Sequence, residues 1–363
     1  MTPSGAGARV LVVGAGIIGR SVAYFLSRLD FEVDLLDAGQ GPSPTTRASL
    51  GVLSHCNGGD NPYAQLFRDG HALYAELAAS LAEETGLDVG WRPLGGIELF
   101  YGVADQQQIE KTFSFNRERS CPVDLLNEHE LRNLEPALAA GVGEGLYYPD
   151  DHRVDPLKLG EALLAAALQR GVCAYWDERV ERVIQRNGSV EVRTNRADHQ
   201  ADFAVLAAGA WTGGLSSQLG AQVEVRPVRG QQVRCAGSPT RHLLRVAGHH
   251  MIPDGDQTVV GATVEEVGFQ LGTTSAAALG LMARVDGILG CTLPLLSQWA
   301  GLRPKPKGGR PLIGPLRAAP QVFVASGHYK NGVLLGPITG QVVARWIAEG
   351  IPGRDMSRFA PER

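Results

Sequence analysis

The residues best suited to chemistry come early in the chain. Gly14-Ala15-Gly16-Ile17-Ile18-Gly19 has the spacing of a loop that cradles a dinucleotide. In such a loop Gly14 permits the tight turn, Gly16 lets the backbone approach a pyrophosphate, and Gly19 lets helix and sheet pack closely. The helix that follows faces the phosphates with its unpaired amides and positive dipole end. Asp37, about 20 residues on, ends a strand where a carboxylate accepts both hydroxyls of an adenosine ribose. That favours FAD or NAD over a 2'-phosphorylated cofactor, and the motif does not choose between them.

These residues need elements to position them. Arg9 to Val13 reads as a short buried strand, Ile17 to Leu29 has apolar residues at helical spacing, and Phe31 to Leu36 is a second strand. Together they make one βαβ unit, the opening of a doubly wound sheet. Gln65 to Thr85 reads as a long helix. Trp91 to Tyr101 is strand-like and glycine-punctuated, which breaks the βαβ rhythm and marks a second domain.

Asp155-Pro156 is an N-cap followed by proline at the first helical position, predicting a helix to about Arg170 with Gly171 as its stop. Arg186-Asn187-Gly188-Ser189 is a hairpin signal between Val180–Ile184 and Val190–Arg193. Phe203 to Leu206 is a further buried strand, ending in Ala207-Ala208-Gly209-Ala210-Trp211. From Gln222 to Arg303 the segments Val223–Val228, Gln231–Cys235 and Thr258–Gly261 look antiparallel, with one helix near Ser275 to Leu289. Val322 to Ala325 and a helix beginning near Pro337 close the nucleotide domain. Gly39 to Thr46 and Pro304 to Pro315 read as glycine- and proline-rich loops.

Composition excludes several classes. The 363 residues carry 34 basic and 38 acidic side chains, a formal charge of -4, with no polybasic run to bind a phosphate backbone. Five scattered cysteines without a C-x-x-C pair suggest neither a disulfide framework nor a zinc site, and fit a reducing cytoplasm. Residues 1–8 show no export signal, and no apolar run reaches the roughly 18 residues of a membrane span. His249-His250 is a poor metal pair because neighbours on a strand face opposite ways. His55-Cys56 lacks the partners of a nucleophile.

Three segments extend the reading. Thr45-Thr46-Arg47-Ala48-Ser49-Leu50-Gly51-Val52-Leu53 resembles the second flavin-contacting loop of the glycine oxidase and D-amino acid oxidase superfamily. Trp299-Ala300-Gly301-Leu302-Arg303-Pro304 with Gly309-Arg310-Pro311-Leu312-Ile313-Gly314, and then Gly327-His328-Tyr329-Lys330-Asn331-Gly332-Val333-Leu334-Leu335-Gly336-Pro337, resemble the C-terminal third of bacterial glycine oxidases. The resemblance implies an α/β plus α+β chain of the glutathione reductase-type FAD fold. A Rossmann-like FAD-binding domain (residues 1–88, 148–220 and 304–363) would carry a discontinuous, mainly antiparallel substrate domain (89–147 and 221–303).

The resemblance assigns Gly14, Gly16, Ile18, Gly19, Asp37, Thr45, Thr46, Arg47, Gly51, Val52, Leu53, Val180, Gly209, Trp211, Arg303, His328, Lys330, Asn331, Gly332, Val333 and Leu334 to the cofactor. It makes Arg303 the clamp for a substrate carboxylate, a task that a planar guanidinium performs through a bidentate, charge-assisted pair. The family's active-site tyrosine falls in Gly248-His249-His250-Met251-Ile252-Pro253, and counting back from Pro253 puts His250 there. Lys330 stands where such oxidases commonly carry arginine. Those two departures leave glycine and N-substituted (N-carboxymethyl) glycines both open as substrates. The segment 305–309 lacks the cysteine that binds flavin covalently in the sarcosine oxidase branch, implying noncovalent FAD.

The implied reaction is hydride transfer from the substrate Cα to flavin N5, with the imine hydrolysed to glyoxylate and an amine, and dioxygen reduced to hydrogen peroxide. Arg303, Lys330 and His250 would face that substrate. Alternatives are an oxidase of sarcosine or another small amino acid, a quinone-linked dehydrogenase, and, against the charge balance, a tRNA carboxymethyl-removing flavoprotein. The expected partners are a small amino acid and dioxygen, without nucleic acid or membrane. The oligomeric state, a homo-oligomer included, stays open.

Overall fold

The computed structural model describes residues 7–54, 56, 61–101 and 106–363. Residues 1–6, read above for an export signal, and His55 lie outside them. The N-terminal βαβ unit forms as expected: strands Arg9–Val13 and Glu32–Leu36 run parallel, joined by the helix Ile17–Ser27. Both strands are buried along all but their first residue, which is why Arg9–Val13 reads as a continuous apolar run after Arg9, whereas the second strand buries Asp34 in its middle. Among the described residues they belong to a six-stranded sheet. Its order is Leu312–Pro315, Val322–Ser326, Phe203–Leu206, Arg9–Val13, Glu32–Leu36, Cys173–Tyr175, parallel except at the first strand.

The local signals translate into local structure. Asp155 accepts hydrogen bonds from the amides of Leu157 and Lys158 and opens the helix Pro156–Gln169, a cap worth about 1 kcal/mol. The Asn187-Gly188 turn joins antiparallel strands Val180–Arg186 and Ser189–Thr194. The helix Ser275–Leu289 stands where predicted.

Three expectations change. Val223–Val228 and Gln231–Cys235 are one unbroken strand, Val225–Ala236, because Arg229 and Gly230 pair straight through with Leu302 and Gly301. Part of the predicted 304–315 loop is strand, since Leu295–Pro306 continues that pairing to its end. The C-terminal helix begins at Gly332, not near Pro337, and runs to Glu349. Pro337 lacks the N–H that would bond the Val333 carbonyl, a defect that normally ends a helix. Here the hydroxyl of Tyr74, fully buried in the helix Pro62–Thr85, donates to the Val333 carbonyl instead.

That helix lies across Ile17–Ser27. Gly340 has no Cβ because one would sit 2.6 Å from the Ser21 backbone, and Gly336 rests against Ile17 and Ser21. The two helices that begin at the cofactor loop and at the Gly327 turn are thereby packed into one layer.

The second large sheet has eight strands among the described residues. Its order is Leu295–Pro306, Val225–Ala236, Gln257–Gly261, His249–Asp254, Leu243–Val246, Gly96–Tyr101, Val142–Tyr148, Asp124–Asn127. All neighbours are antiparallel except Leu243–Val246 with Gly96–Tyr101. One face packs Val233, Cys235, Leu244, Met251 and Val260 against the helix Ser275–Leu289. The opposite face is turned to the cofactor loop.

Cys56 is bonded to Cys121, contrary to the expectation of free thiols. The pair is 65 residues apart in sequence and is brought together by chain folding, which spacing does not reveal. It removes the cysteine argument for a reducing compartment. Among the described residues no helix is long and apolar enough to cross a membrane.

Candidate functional site

The cofactor loop opens into a cleft of about 860 Å³. Gly14, at φ +104°, makes the turn, and a Cβ there would lie 2.6 Å from the Ala207 carbonyl oxygen. At Gly19 a Cβ would sit 1.7 Å from the Gly14 carbonyl oxygen, so this glycine serves helix packing. The Ala15 amide donates to Asp37 Oδ2 at 2.6 Å and the Gly39 amide to Oδ1 at 2.8 Å, which fixes the carboxylate at the strand end. Each oxygen keeps a lone pair for a ribose hydroxyl.

Of the residues expected at the cofactor, Gly14, Gly16, Ile18, Asp37, Thr45, Thr46, Arg47, Val180, Gly209, Trp211, His328 and Gly332 line this cleft. Sequence reasoning missed Ser43, Glu178, Ser326 and Tyr329, which line it too. Ser43 carried a signal: it precedes Pro44 and caps the short helix Pro44–Arg47 by accepting from the Thr46 amide.

Other expected contacts lie elsewhere. Gly51, at φ +70°, packs against the Val154 carbonyl, and Val52 and Leu53 pair with Arg153 and His152. Val333 and Leu334 are core residues, because the helix starts before them and turns their side chains inward. Asn331 occupies the N-cap, and its side chain bonds Tyr63.

The cleft fits an anionic, planar cofactor. Two helices begin at its wall, at Gly16 and at Asn331, and neither N-cap residue caps its helix with a side chain. The Ile17 amide is taken by Thr46 Oγ1 at 3.1 Å, while the remaining first-turn amides and the dipoles are available to a pyrophosphate and to an electron-accepting ring. His328 is fully enclosed. Its Nε2 meets Thr339 Oγ1 at 3.0 Å, its Nδ1 has no partner, and burial drives its pKa down to about 3, so the ring is neutral.

Arg303, Lys330 and His250 do not line this cleft but stand beside it. The link is the loop 44–48. Thr45 Oγ1 donates to the Leu302 carbonyl at 2.9 Å, Gln232 Nε2 donates to the Ala48 carbonyl, and Gly301 lacks a Cβ that would strike Ala48. Residues directly opposite on neighbouring strands share a sheet face. By register Arg303 lies opposite Val228, two residues from Gly230 and four from Gln232; then Gln232, Gly261, His250, Arg245 and Glu98 run across the sheet in one row. All of them face the cofactor loop.

The Arg303 guanidinium rests directly over Gly230, where a Cβ would come within 2.2–2.4 Å of it, and donates to the Thr263 carbonyl at 2.9 Å. No carboxylate among the described residues pairs with it. Burial lowers its pKa from the ordinary arginine value, and the group stays charged. His250 is pushed to about 3, first by burial and then by Arg245, Lys330, His249 and Arg303, so it presents a neutral imidazole. Arg245, by contrast, is neutralised by the buried Asp151 and lies 5.1 Å from the Tyr148 ring centroid. Lys305 and Lys307 pair with Glu266 and Glu224.

A strand, a glycine turn and a helix at the cofactor cleft, set against a mainly antiparallel sheet with an arginine that has no ion-pair partner among the described residues, define a dinucleotide-binding enzyme fold. Comparison with known proteins narrows the class. The FAD dependent oxidoreductase (DAO) family matches residues 9–346, and the chain belongs to it. It is therefore a flavoenzyme of the amine and amino-acid oxidase type, and FAD is its cofactor. The chain is 29% identical over 367 residues to glycine oxidase of Geobacillus kaustophilus, covering 98% of this chain and 96% of that one. Its fold is similar to the crystal structure of glycine oxidase from Geobacillus kaustophilus, with TM-score 0.94 at 27% identity over 98% of this chain and 99% of the other. It is also similar to the iminodiacetate oxidase of Chelativorans sp. BNC1, with TM-score 0.88 at 26% identity over 97% and 99%.

Proposed function

We propose that this enzyme oxidises glycine or an N-substituted glycine, with dioxygen as the electron acceptor. The observation that carries the reading is Arg303: a partly buried, charged guanidinium without an ion-pair partner among the described residues, seated over a glycine on the face that meets the flavin loop. A group of this kind binds a carboxylate through two parallel hydrogen bonds. The glycine oxidase relatives and the iminodiacetate oxidase neighbour agree with an amine next to that carboxylate.

In this reading residues 1–88, 148–220 and 304–363 form the FAD-binding domain, and 89–147 with 221–303 form the substrate domain. Gly14, Gly16 and Ile18 face the pyrophosphate and Asp37 the ribose. The chemistry supplied by bound FAD is acceptance of a hydride from the substrate Cα, after which dioxygen takes the electrons as hydrogen peroxide and water hydrolyses the imine to glyoxylate and an amine. Arg303 holds the carboxylate so that the Cα–H is presented to the flavin, an orientation effect rather than acid–base catalysis. His250 is neutral and accepts a hydrogen bond from the amine N–H without protonating it. The Asn331–Gly332 helix start favours negative charge at its end of the cleft.

A panel of glycine, sarcosine, D-alanine and longer N-substituted glycines, scored by peroxide release and by anaerobic bleaching of the flavin, tests the proposal. One or more of the glycines should bleach it. Arg303→Ala should raise KM steeply while the protein stays yellow. Unchanged turnover in that variant, or a flavin that no member of the panel reduces, would overturn the reading.

A further inference from the structure

His250 stands among three cations. Arg245 lies directly opposite it on the neighbouring strand, and Lys330 and Arg303 are near enough for their charges to bear on its ring. Asp151 neutralises Arg245. Neither Arg303 nor Lys330 has an ion-pair partner among the described residues, although Glu265 lies near enough to Arg303 to be felt, so two cations without a bound carboxylate stand beside the cleft. The backbone keeps them close together. Tyr329 takes a left-handed conformation at φ +53°, and its amide donates to the Pro304 carbonyl at 3.1 Å, tying the turn that carries Lys330 to the residue after Arg303. Lys305 and Lys330 both have Nζ 5.7 Å from the Tyr329 ring centroid, but only Lys305 reaches an acid, Glu266 at 3.5 Å.

A monocarboxylate such as glycine answers Arg303 and leaves Lys330 facing a like charge. Lys330 is also exposed. We propose that Lys330 is a second carboxylate site and that the preferred substrate is a dicarboxylic secondary amine of the iminodiacetate type, with one carboxylate on Arg303 and the other on Lys330. The inference rests on the amine-oxidase reading above and adds the substrate class.

The reaction balances for such a substrate. The Cα–H bond breaks and its electron pair passes through the flavin to dioxygen, giving hydrogen peroxide. The nitrogen lone pair forms the imine, water adds to the carbon, and the C–N bond breaks. Iminodiacetate, dioxygen and water become glyoxylate, glycine and hydrogen peroxide. The glycine formed spans only one of the two cations, so it leaves rather than being oxidised in turn.

The test separates binding from turnover. Oxydiacetate has both carboxylates but an ether in place of the amine, and methoxyacetate has one carboxylate. Both are titrated into the FAD-loaded enzyme and followed by perturbation of the flavin absorbance. The wild type should bind oxydiacetate about two- to fivefold more tightly than methoxyacetate, the range set by a pair that is partly exposed. Lys330→Arg should keep that ratio, and Lys330→Met should bring it close to one. A wild-type ratio near one, or a ratio that survives Lys330→Met, would overturn the second site. If Lys330 instead served only the charge on the reduced flavin, the ratio would also be near one. A ratio of the expected size without flavin reduction by iminodiacetate would uphold the site and overturn iminodiacetate as the preferred substrate, and only a flavin that no member of the panel reduces would sink the oxidase reading.

Discussion

Replacing Gly230 with alanine tests the seat of Arg303 without touching Arg303 itself. The new Cβ would lie 2.2–2.4 Å from three atoms of the guanidinium. Ordinary carbon contacts begin near 3.5 Å, so the group must retreat by more than about 1 Å. It can do so because it is the free end of a long side chain, and Gly230 lies in a strand without a positive φ, so the fold should survive. The displacement breaks the 2.9 Å bond to the Thr263 carbonyl and spoils the two-point grip on a carboxylate. A misplacement of that size costs roughly 10²-fold in rate, or about 2.7 kcal/mol of transition-state stabilisation. The assay is kcat/KM by peroxide release with the best substrate of the panel, alongside flavin content and Tm. Flavin content should match the wild type, and kcat/KM should fall mainly through KM. In the double variant with Arg303→Ala, Gly230→Ala should add almost nothing. A Gly230→Ala enzyme within about threefold of wild type would refute the seat, given the displacement it must cause.

Three further outcomes follow from the geometry. Gly14→Ala meets the Ala207 carbonyl at 2.6 Å and also forces φ +104° on an L-residue, so the protein should purify with a flavin-to-protein ratio far below that of the wild type; a full yellow complement would contradict the turn. Tyr74→Phe leaves the Val333 carbonyl without the partner that replaces Pro337's missing N–H, and should cost about 1–3 kcal/mol in urea melts, whereas an unchanged midpoint would dismiss that compensation. His328 has a folded pKa of about 3 against an ordinary 6.5, so the unfolded chain binds the extra proton between those values and stability is lost as pH falls below 6.5. The slope is up to about 1.4 kcal/mol per pH unit, and His328→Gln should flatten unfolding free energy between pH 6.5 and 5 by that amount. An identical slope in both proteins would show that His328 already carries its proton in the fold.

Much of the cofactor half was legible because its signals are local. The glycine loop, Asp37, the Asp155-Pro156 cap and the Asn187-Gly188 turn each act within a few residues, and the structure forms the element that each implies. The substrate face was legible only as isolated residues. His250 meets Gly261 and Arg245 through strand register, and Gly230 makes room for Arg303 across a pairing of distant segments. No spacing rule reports such partners. The same reason hid the Cys56–Cys121 bond and the true start of the last helix, where Tyr74 comes from more than 250 residues away. Proline read alone argues for a helix start; only the folded chain supplies the donor that lets the helix run through it.

The two faces of the eight-stranded sheet give this fold a division of labour along single strands. On Val225–Ala236, His249–Asp254 and Leu243–Val246, the side chains of Val233, Cys235, Met251 and Leu244 belong to the core beneath the helix Ser275–Leu289, while their neighbours Gln232, His250 and Arg245 stand on the face of Arg303. A variant library at Glu98 and His250 would therefore change this row while leaving the apolar core, the glycine loop and the buried Arg245–Asp151 pair in place. The chemistry stays constant while its clientele changes, and a long-lived scaffold can serve new amines by single-residue edits on alternate positions.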